Sequence, residues 1–216
     1  MKNFSKVLGI IALAAVIGFS MVSCSGGGGG DGGPKYTSVK STGGTGGIDV
    51  YELNIGSKEG DSYTLIIYLL ASDATKVSTG KITAVDGDVY NLGTFRVTIT
   101  GKQLLEITGA IPIDGGGIQT APGPVSPVTK GGDKKLDGTY VKGGETVKFS
   151  GSSFSYTSDE GKFPGTALYD DTSLVTRGSY RGETWVVGGT YTIKADGTIN
   201  FKGFNTSGYN GDWVKQ

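Results

Sequence analysis

Short stretches of this chain alternate apolar and polar residues, which is the pattern of β-strands with one buried side and one solvent-facing side. Residues 93–100 alternate without a break, and residues 51–55 do so with Glu52 and Asn54 on the polar side. Residues 62–70 are almost continuously apolar, which favours a central strand covered on both faces. No apolar stripe with helical spacing persists through this half. It is therefore predicted to be antiparallel β structure, either a sandwich or an incomplete barrel.

The second half carries clearer hairpin signals. Residues 190–194 and 198–202 alternate on either side of Ala195-Asp196-Gly197, and an Asp-Gly pair between two such stretches is a strong signal for a tight turn. Residues 145–149 and 153–156 repeat the arrangement around a Ser-Gly-Ser turn. Short strands joined by local turns predict a meander that curls toward a barrel.

Three related triplets mark the strands of this second half: Gly138-Thr139-Tyr140, Gly189-Thr190-Tyr191 and Gly211-Asp212-Trp213. Glycine permits close strand approach, and the aromatic residue two positions later fills the core. Pairing of the first and last triplets would join the terminal strands and remove both exposed edges. The pattern resembles the lipocalin-like β-meander domains of bacterial surface lipoproteins over about 80 residues, and this resemblance implies the fold. Four bulky residues are expected to fill the interior: Phe149, Phe154, Tyr191 and Phe201.

The amino terminus has the features of a secretory signal that ends in a lipidation motif. Lys2 and Lys6 precede the uncharged residues 7–22, and Cys24 opens the Gly-rich residues 25–34. This segment resembles the signal peptides of bacterial lipoproteins. The resemblance implies that the leader is cut off before Cys24, that the Cys24 sulfur is diacylated, and that the new amino terminus is acylated. Cys24 is thus predicted to attach the protein to a membrane.

Two alternatives to the lipoprotein interpretation stay open. An uncleaved membrane helix is disfavoured, because the apolar run of about 16 residues is shorter than the roughly 20 that cross a bilayer core. An ordinary secreted protein would not explain a Gly-rich tether directly after the cysteine. The motif departs from the commonest form, since Met21 replaces leucine and Val22-Ser23 replaces a pair of small residues. Ser25 resembles the outer-membrane class, so a cell-envelope location is expected, on the periplasmic face or the cell surface.

Composition limits the chemistry that the mature chain could perform. The sequence has no histidine, one cysteine, and two methionines that both lie in the leader. These absences remove the usual general base and the usual soft metal ligands, so no catalytic residue, metal site or cofactor is predicted. Removing Lys2 and Lys6 leaves 18 basic residues against 20 acidic ones, and a near-neutral chain is not predicted to bind nucleic acid.

Residues 113–135 are rich in glycine and contain Pro122, Pro124 and Pro127, which predicts a flexible linker. The predicted organisation is a signal peptide at 1–23, a lipidated cysteine and tether at 24–35, a β domain at 36–112, the linker at 113–135, and a β-meander domain at 136–216.

Three groups of residues are candidate sites. Asp170-Asp171 could be half of a catalytic carboxylate pair, although adjacent acids in a loop are usually solvated. Asp86-Gly87-Asp88 resembles part of a calcium loop but lacks further acidic ligands, which favours a simple turn. Trp185 could line the mouth of a carbohydrate or anion site, or it could be a core residue; the neighbours that suggest a site are Arg177, Arg181 and Glu183. Gly46-Gly47 and Gly143-Gly144 lack the residues of a phosphate-binding loop and are predicted to be turns.

The sequence supports a lipid-anchored envelope protein that is not an enzyme and serves as a binding or structural module. Its expected partners are the membrane, through the acyl chains, and a glycan or protein ligand. Two alternatives stay open: a carbohydrate-binding or carboxylate-dependent glycan-acting protein, and a carrier of a small apolar ligand in the barrel.

Overall fold

The structure is a computed structural model that describes residues 33–42, 47–130, 135–206 and 208–216. The described chain is an all-β protein built from antiparallel sheets, as the alternation predicts. Its helical content is one 3₁₀ turn at Leu70–Ser72 within the described residues. Cys24 and the leader lie outside the described residues.

Two sheets from the first part of the chain pack face to face as a sandwich. One has five strands in the order β11-β1-β2-β3-β4, and the other has six, in the order β10-β8-β7-β6-β5 with β9 paired to β8. The strands are β1 (Lys35–Ser41), β2 (Ile48–Ile55), β3 (Ser62–Leu69), β4 (Ala74–Lys81), β5 (Ala84–Asp86), β6 (Val89–Asn91), β7 (Phe95–Thr100), β8 (Gln103–Pro112), β9 (Ile118–Thr120), β10 (Gly123–Pro124) and β11 (Ser126–Pro127).

The sandwich core is formed by the buried sides of the predicted strands. Leu53 and Leu65 from one sheet and Val97 and Ile107 from the other are all fully buried within it. Along β7 the apolar residues are buried while Arg96 is exposed, so the alternation predicts this strand correctly. The prediction leaves a sandwich and an incomplete barrel open, and the two facing sheets make this part a sandwich.

The Pro-rich segment closes the open side of the sandwich. The strands β9, β10 and β11 within it pair with β8, β8 and β1, and Val125 between β10 and β11 is buried in the core. Proline suits edge strands because it has no N–H to donate, and here Val125 donates to the Leu105 carbonyl at 2.9 Å. Over residues 118–130 the structure therefore differs from the flexible linker that composition predicts, because edge pairing and a buried valine hold the chain in place.

The second part of the chain forms a closed eight-stranded barrel. Its strands follow one another around the wall, and β20 pairs with β13 through Tyr140 opposite Lys215 and Val141 opposite Val214. The strands that carry the first and last triplets therefore pair with each other, with the contact displaced so that Tyr140 faces Lys215 rather than a residue of the last triplet. The strands are β12 (Thr129–Lys130), which pairs outside the ring with β16, and then β13 (Gly138–Lys142), β14 (Glu145–Ser150), β15 (Ser153–Ser158), β16 (Gly161–Tyr169), β17 (Ser173–Tyr180), β18 (Glu183–Ile193), β19 (Ile199–Lys202) and β20 (Gly211–Lys215).

Side chains pack the barrel interior. The four predicted core residues are all buried there, together with Trp213, which is 0% exposed. The loop between β19 and β20 adds Phe204 and Tyr209, whose rings stack with centroids 5.6 Å apart. This loop is held by Lys142, which donates to the Gly208 carbonyl at 2.8 Å and to the Asn210 carbonyl. The loop is therefore part of the core.

The outer face of the first sheet packs against the outer wall of the barrel. A buried apolar cluster joins Val39, Ile48 and Val50 of the sandwich to Leu168 and Val175 of the barrel. The two parts of the chain thus share a buried interface. This contact explains why β3 is partly covered on its second face.

Candidate functional site

The indole of Trp185 lies inside the barrel on a floor made by two glycines. Gly165, Gly178 and Trp185 are in register across β16, β17 and β18, so the ring spans the space that two missing side chains leave. A Cβ added at Gly178 would lie 2.5 Å from Cζ2 of Trp185. The ring meets Phe154 edge to face at a centroid distance of 6.0 Å. Trp185 is half-buried, so part of its ring packs against the barrel core and part is accessible to solvent.

The residues near Trp185 in sequence do not converge on it. Arg177 leaves the barrel wall on its outer side and forms an ion pair with Glu52 of the sandwich. Arg181 and Glu183 are exposed at the turn between β17 and β18, where the Arg181 guanidinium lies 5.1 Å from the ring centroid of Tyr180. Alternation along β17 places Arg177 on the opposite face of the wall from Trp185, while Arg181 and Glu183 are separated from the ring because they lie at the turn where the two strands end.

Polar groups near the same end of the barrel form a tyrosine-centred network. The Tyr156 hydroxyl donates to Oε1 of Glu145 at 2.7 Å, and the rings of Tyr156 and Tyr209 lie 5.0 Å apart. Burial raises the pKa of Tyr156, and the neighbouring Glu145 carboxylate raises it further. Burial also raises the pKa of Tyr209 well above its ordinary value. Both phenols therefore stay protonated at neutral pH and act as hydrogen-bonding groups there.

The two adjacent acids at the other end of the barrel have separate roles. Asp170 Oδ1 accepts hydrogen bonds from the backbone N–H groups of Thr172 and Ser173, at 2.7 and 2.6 Å, which shapes the turn before β17. Asp171 is 91% exposed and pairs with Lys135 at 3.1 Å. The structure therefore uses Asp170 as a turn-forming residue, and it leaves Asp171 at the surface.

The glycine-containing candidates form turns. Asp86 and Val89 face each other across a tight hairpin, and Asp88 Oδ2 accepts from the Thr100 hydroxyl at 2.7 Å. Gly143 and Gly144, with φ of 56° and 91°, make the turn between β13 and β14. Gly46 lies outside the described residues, whereas the Gly47 carbonyl accepts from the Thr42 N–H at 2.9 Å. Within the described residues no three Asp, Glu, His or Cys side chains are grouped to hold a metal ion.

The alternation pattern places Glu52 on a solvent-facing side of its strand, yet the structure buries its carboxylate. Glu52 is 1% exposed, and its carboxylate lies between Arg177 of the barrel and Lys35 of the sandwich, whose Nζ is 3.0 Å from Oε2. Neither carboxylate oxygen makes a hydrogen bond of good geometry. The expectation of a wet face is wrong here because the barrel covers this side of the sheet. Val50 and Ile48, which continue the same face, were a signal that this side is not uniformly polar.

Comparison of the chain with protein-family models, with curated proteins and with solved structures finds no match. In the described part of the chain, no helix is both long enough and apolar enough to span a membrane.

Proposed function

We propose that the protein is a lipid-anchored cell-envelope protein that presents a non-catalytic binding or structural module. The observation that carries the proposal is the run from Lys2 to Cys24, followed at once by the Gly-rich tether. Each buried methylene of an acyl chain contributes about 0.8 kcal/mol, so the two or three chains on such a cysteine hold a protein stably at a membrane.

Features of the folded part support a module that holds its shape. The barrel interior is packed with aromatic side chains, and its loop between β19 and β20 contributes to that packing. Asp170 and Asp88, the acids that suggest chemistry in the sequence, are engaged in turns. A sequence without histidine offers no group that titrates near neutral pH without tuning.

A pair of single substitutions tests the anchor. Cys24→Ala removes the acyl acceptor, and Ser23→Ala is the matched control because it keeps a small residue before the cleavage point. Cells expressing each variant are labelled with an alkyne fatty acid, fractionated and probed. The proposal expects label and membrane partition for the parent and for Ser23→Ala, and loss of both for Cys24→Ala. Full membrane partition of Cys24→Ala without label would contradict it.

A second candidate is carbohydrate binding at the barrel end that carries the β17–β18 turn. The specific observation is the Trp185 indole N–H, which is buried and has no hydrogen-bond partner among the described residues. The half-buried Tyr180, with the Arg181 guanidinium over its ring, lies at the same end. Sugars combine aromatic stacking with hydrogen-bond acceptors, which suits these groups.

Tryptophan fluorescence tests this second candidate. Neutral and acidic oligosaccharides are titrated into the parent, into Trp185→Phe and into Trp213→Phe, since Trp213 is fully buried and bonded to the Tyr209 carbonyl. Saturable quenching that persists in Trp213→Phe and disappears in Trp185→Phe is the expected result. Equal responses in both variants, or none in the parent, would count against a site at this end.

A further inference from the structure

The junction between sandwich and barrel has the burial of a core. Ile48, Val50 and Leu70 from the sandwich and Val175 from the barrel are each at most 6% exposed within one apolar cluster. Gly188 on β18 lets the sandwich approach closely, because a Cβ there would lie 2.9 Å from Leu70 Cδ1 and 3.0 Å from Ile48 Cδ1. Separating the two parts would expose all of these surfaces to water, which is unfavourable in proportion to their apolar area.

Residues 126–130, the described part of the passage from sandwich to barrel, are all held by pairing or by hydrogen bonds. Ser126 and Pro127 pair with β1 of the sandwich, and Thr129 and Lys130 pair with β16 of the barrel. The single residue between them, Val128, is 4% exposed in the interface cluster, and its N–H donates to the Thr37 carbonyl at 3.0 Å. Domain rotation needs loop residues that can change their backbone angles, and hydrogen bonding fixes the residues at this point.

The same junction contains the buried carboxylate of Glu52 and the guanidinium of Arg177, which is 16% exposed. Their contact crosses from one part of the chain to the other. An apolar surface can slide with little penalty, whereas a buried charge that loses its partner is strongly unfavourable. Lys35 neutralises Glu52 from within the sandwich, so only the orientation that brings Arg177 to Glu52 gives the largely buried Arg177 a carboxylate partner.

We infer that the sandwich and the barrel form one rigid body, in which apolar packing holds the two parts together and the Glu52–Arg177 pair fixes their relative orientation. The inference depends on the contacts at the junction and is independent of what the module binds. It also separates two roles. The apolar contacts of Leu70, Val175 and their neighbours stabilise the association of sandwich and barrel, and the ion pair selects one relative orientation of the two.

Distance measurement by pulsed electron resonance tests the orientation. In the full chain with Cys24→Ser, spin labels are attached through Asp86→Cys at the tip of the sandwich and Ala195→Cys at a barrel turn, both exposed positions. The inference expects one narrow distance distribution in this background. Adding Arg177→Met is expected to broaden the distance distribution or to add a second distance. The control is Arg181→Met, at an exposed arginine in the turn between β17 and β18, and it is expected to leave the distribution unchanged. A broad distribution in the background chain, or a narrow one that Arg177→Met does not alter, would overturn the inference.

Unfolding gives a second readout that does not need the labelled variants. Both tryptophans, Trp185 and Trp213, lie in the barrel, so their fluorescence reports that part alone. Hydrogen exchange in peptides covering β2 and β3 reports the sandwich. One rigid body predicts that the two signals change at the same urea concentration. Two separate transitions in the parent would contradict it.

A double-mutant cycle isolates the ion pair. Glu52→Gln takes the carboxylate away from Arg177, whereas Arg177→Met leaves Glu52 paired with Lys35. Glu52→Gln is expected to raise the unfolding equilibrium constant by about a hundredfold to a thousandfold, and Arg177→Met is expected to raise it by less. The double variant is expected to be less affected than the two single effects combined. Strictly additive effects would show that the two residues are not coupled.

Discussion

The indole of Trp185 lies against the backbone of Gly178 on the neighbouring strand, so closely that a Cβ at position 178 would be 2.5 Å from Cζ2 and 2.8 Å from Cε2 of the ring. The same row of the barrel wall contains Gly165, where a Cβ would lie 3.1 Å from Cη2. One large ring and two glycines together fill this part of the interior. The Trp185 ring therefore fits in the barrel only because positions 165 and 178 have no side chain.

Gly178→Ala is expected to destabilise the protein by about 1–3 kcal/mol or more, because the added methyl group meets both the ring and the Pro164 carbonyl. The free energy of unfolding from urea titration measures the effect. Gly208→Ala is the matched control, since a Cβ there would make ordinary contacts at 3.5–3.9 Å. Equal stability of the two alanine variants would show that the ring can move away without loss.

The last strand contributes one fully buried ring to the barrel core. Trp213 is 0% exposed and its Nε1–H donates to the Tyr209 carbonyl at 2.8 Å, whereas its neighbour Val214 is 56% exposed. Trp213→Ala is therefore expected to cost about 3–5 kcal/mol of stability, while Val214→Ala should change it by less than about 0.5 kcal/mol. Thermal unfolding followed by circular dichroism compares the two. A small effect of Trp213→Ala would mean that the barrel core does not depend on this ring.

The Pro-rich segment offers a matched pair of apolar residues. Val125 is 8% exposed in the sandwich core, and Ile118 is 73% exposed. Truncating Val125 to alanine should lower the free energy of unfolding by an amount on the order of 1 kcal/mol, whereas Ile118→Ala should leave it nearly unchanged. Limited proteolysis adds a second readout, since cleavage within residues 118–130 should be faster in Val125→Ala. Rapid cleavage of this segment in the parent would instead support a free linker.

Buried tyrosines predict a loss of stability at alkaline pH. Burial raises the pKa of Tyr51 to about 12, with Asp49 adding to the effect, and raises the pKa of Tyr209 well above its ordinary value. The unfolded chain loses these protons near pH 10 while the folded chain keeps them, so stability is complete below pH 10 and declines as the pH rises further. One such group contributes a slope of about 1.4 kcal/mol per pH unit.

Urea titrations at pH 8, 10 and 11, combined with tyrosinate absorbance, measure this decline. Tyr209→Phe removes one of the raised groups and should make the slope shallower. Stability that does not change between pH 8 and 11 would contradict the burial of these phenols in the folded state.

Local pattern predicts several of the strands and a meander that curls toward a barrel, whereas the closure of the barrel is a finding of the structure. The Asp196-Gly197 turn and the Gly-x-aromatic triplets each depend on neighbouring residues, and the structure pairs their strands as expected. Contacts between residues that are distant in sequence cannot be predicted from the local pattern. Glu52 is in a polar position of its strand, and nothing near it in sequence indicates that Arg177 covers it. The prolines at 122, 124 and 127 also indicate that this segment is not a central strand, and the structure agrees. Its pairing at the sheet edges depends on partner strands that the composition of the segment does not reveal.

The candidate site was predictable to a smaller degree. Trp185 was recognisable as a residue that belongs either to the core or to a mouth, and the choice depended on Gly165 and Gly178, which are distant in sequence and adjacent in the wall. The sequence predicts the turn at Asp86-Gly87-Asp88, but it places Asp170 among solvated surface acids, and the backbone hydrogen bonds that Asp170 accepts are a finding of the structure. The lipidation of Cys24 stays a prediction from the sequence.

Mass spectrometry of the protein purified from cell membranes tests the central proposal most directly. Lipidation predicts an amino-terminal peptide that begins at Cys24 and carries the mass of a diacylglyceryl group on sulfur and of a further acyl chain on the amino group. A peptide that retains residues 1–23, or one in which Cys24 is unmodified, would contradict it.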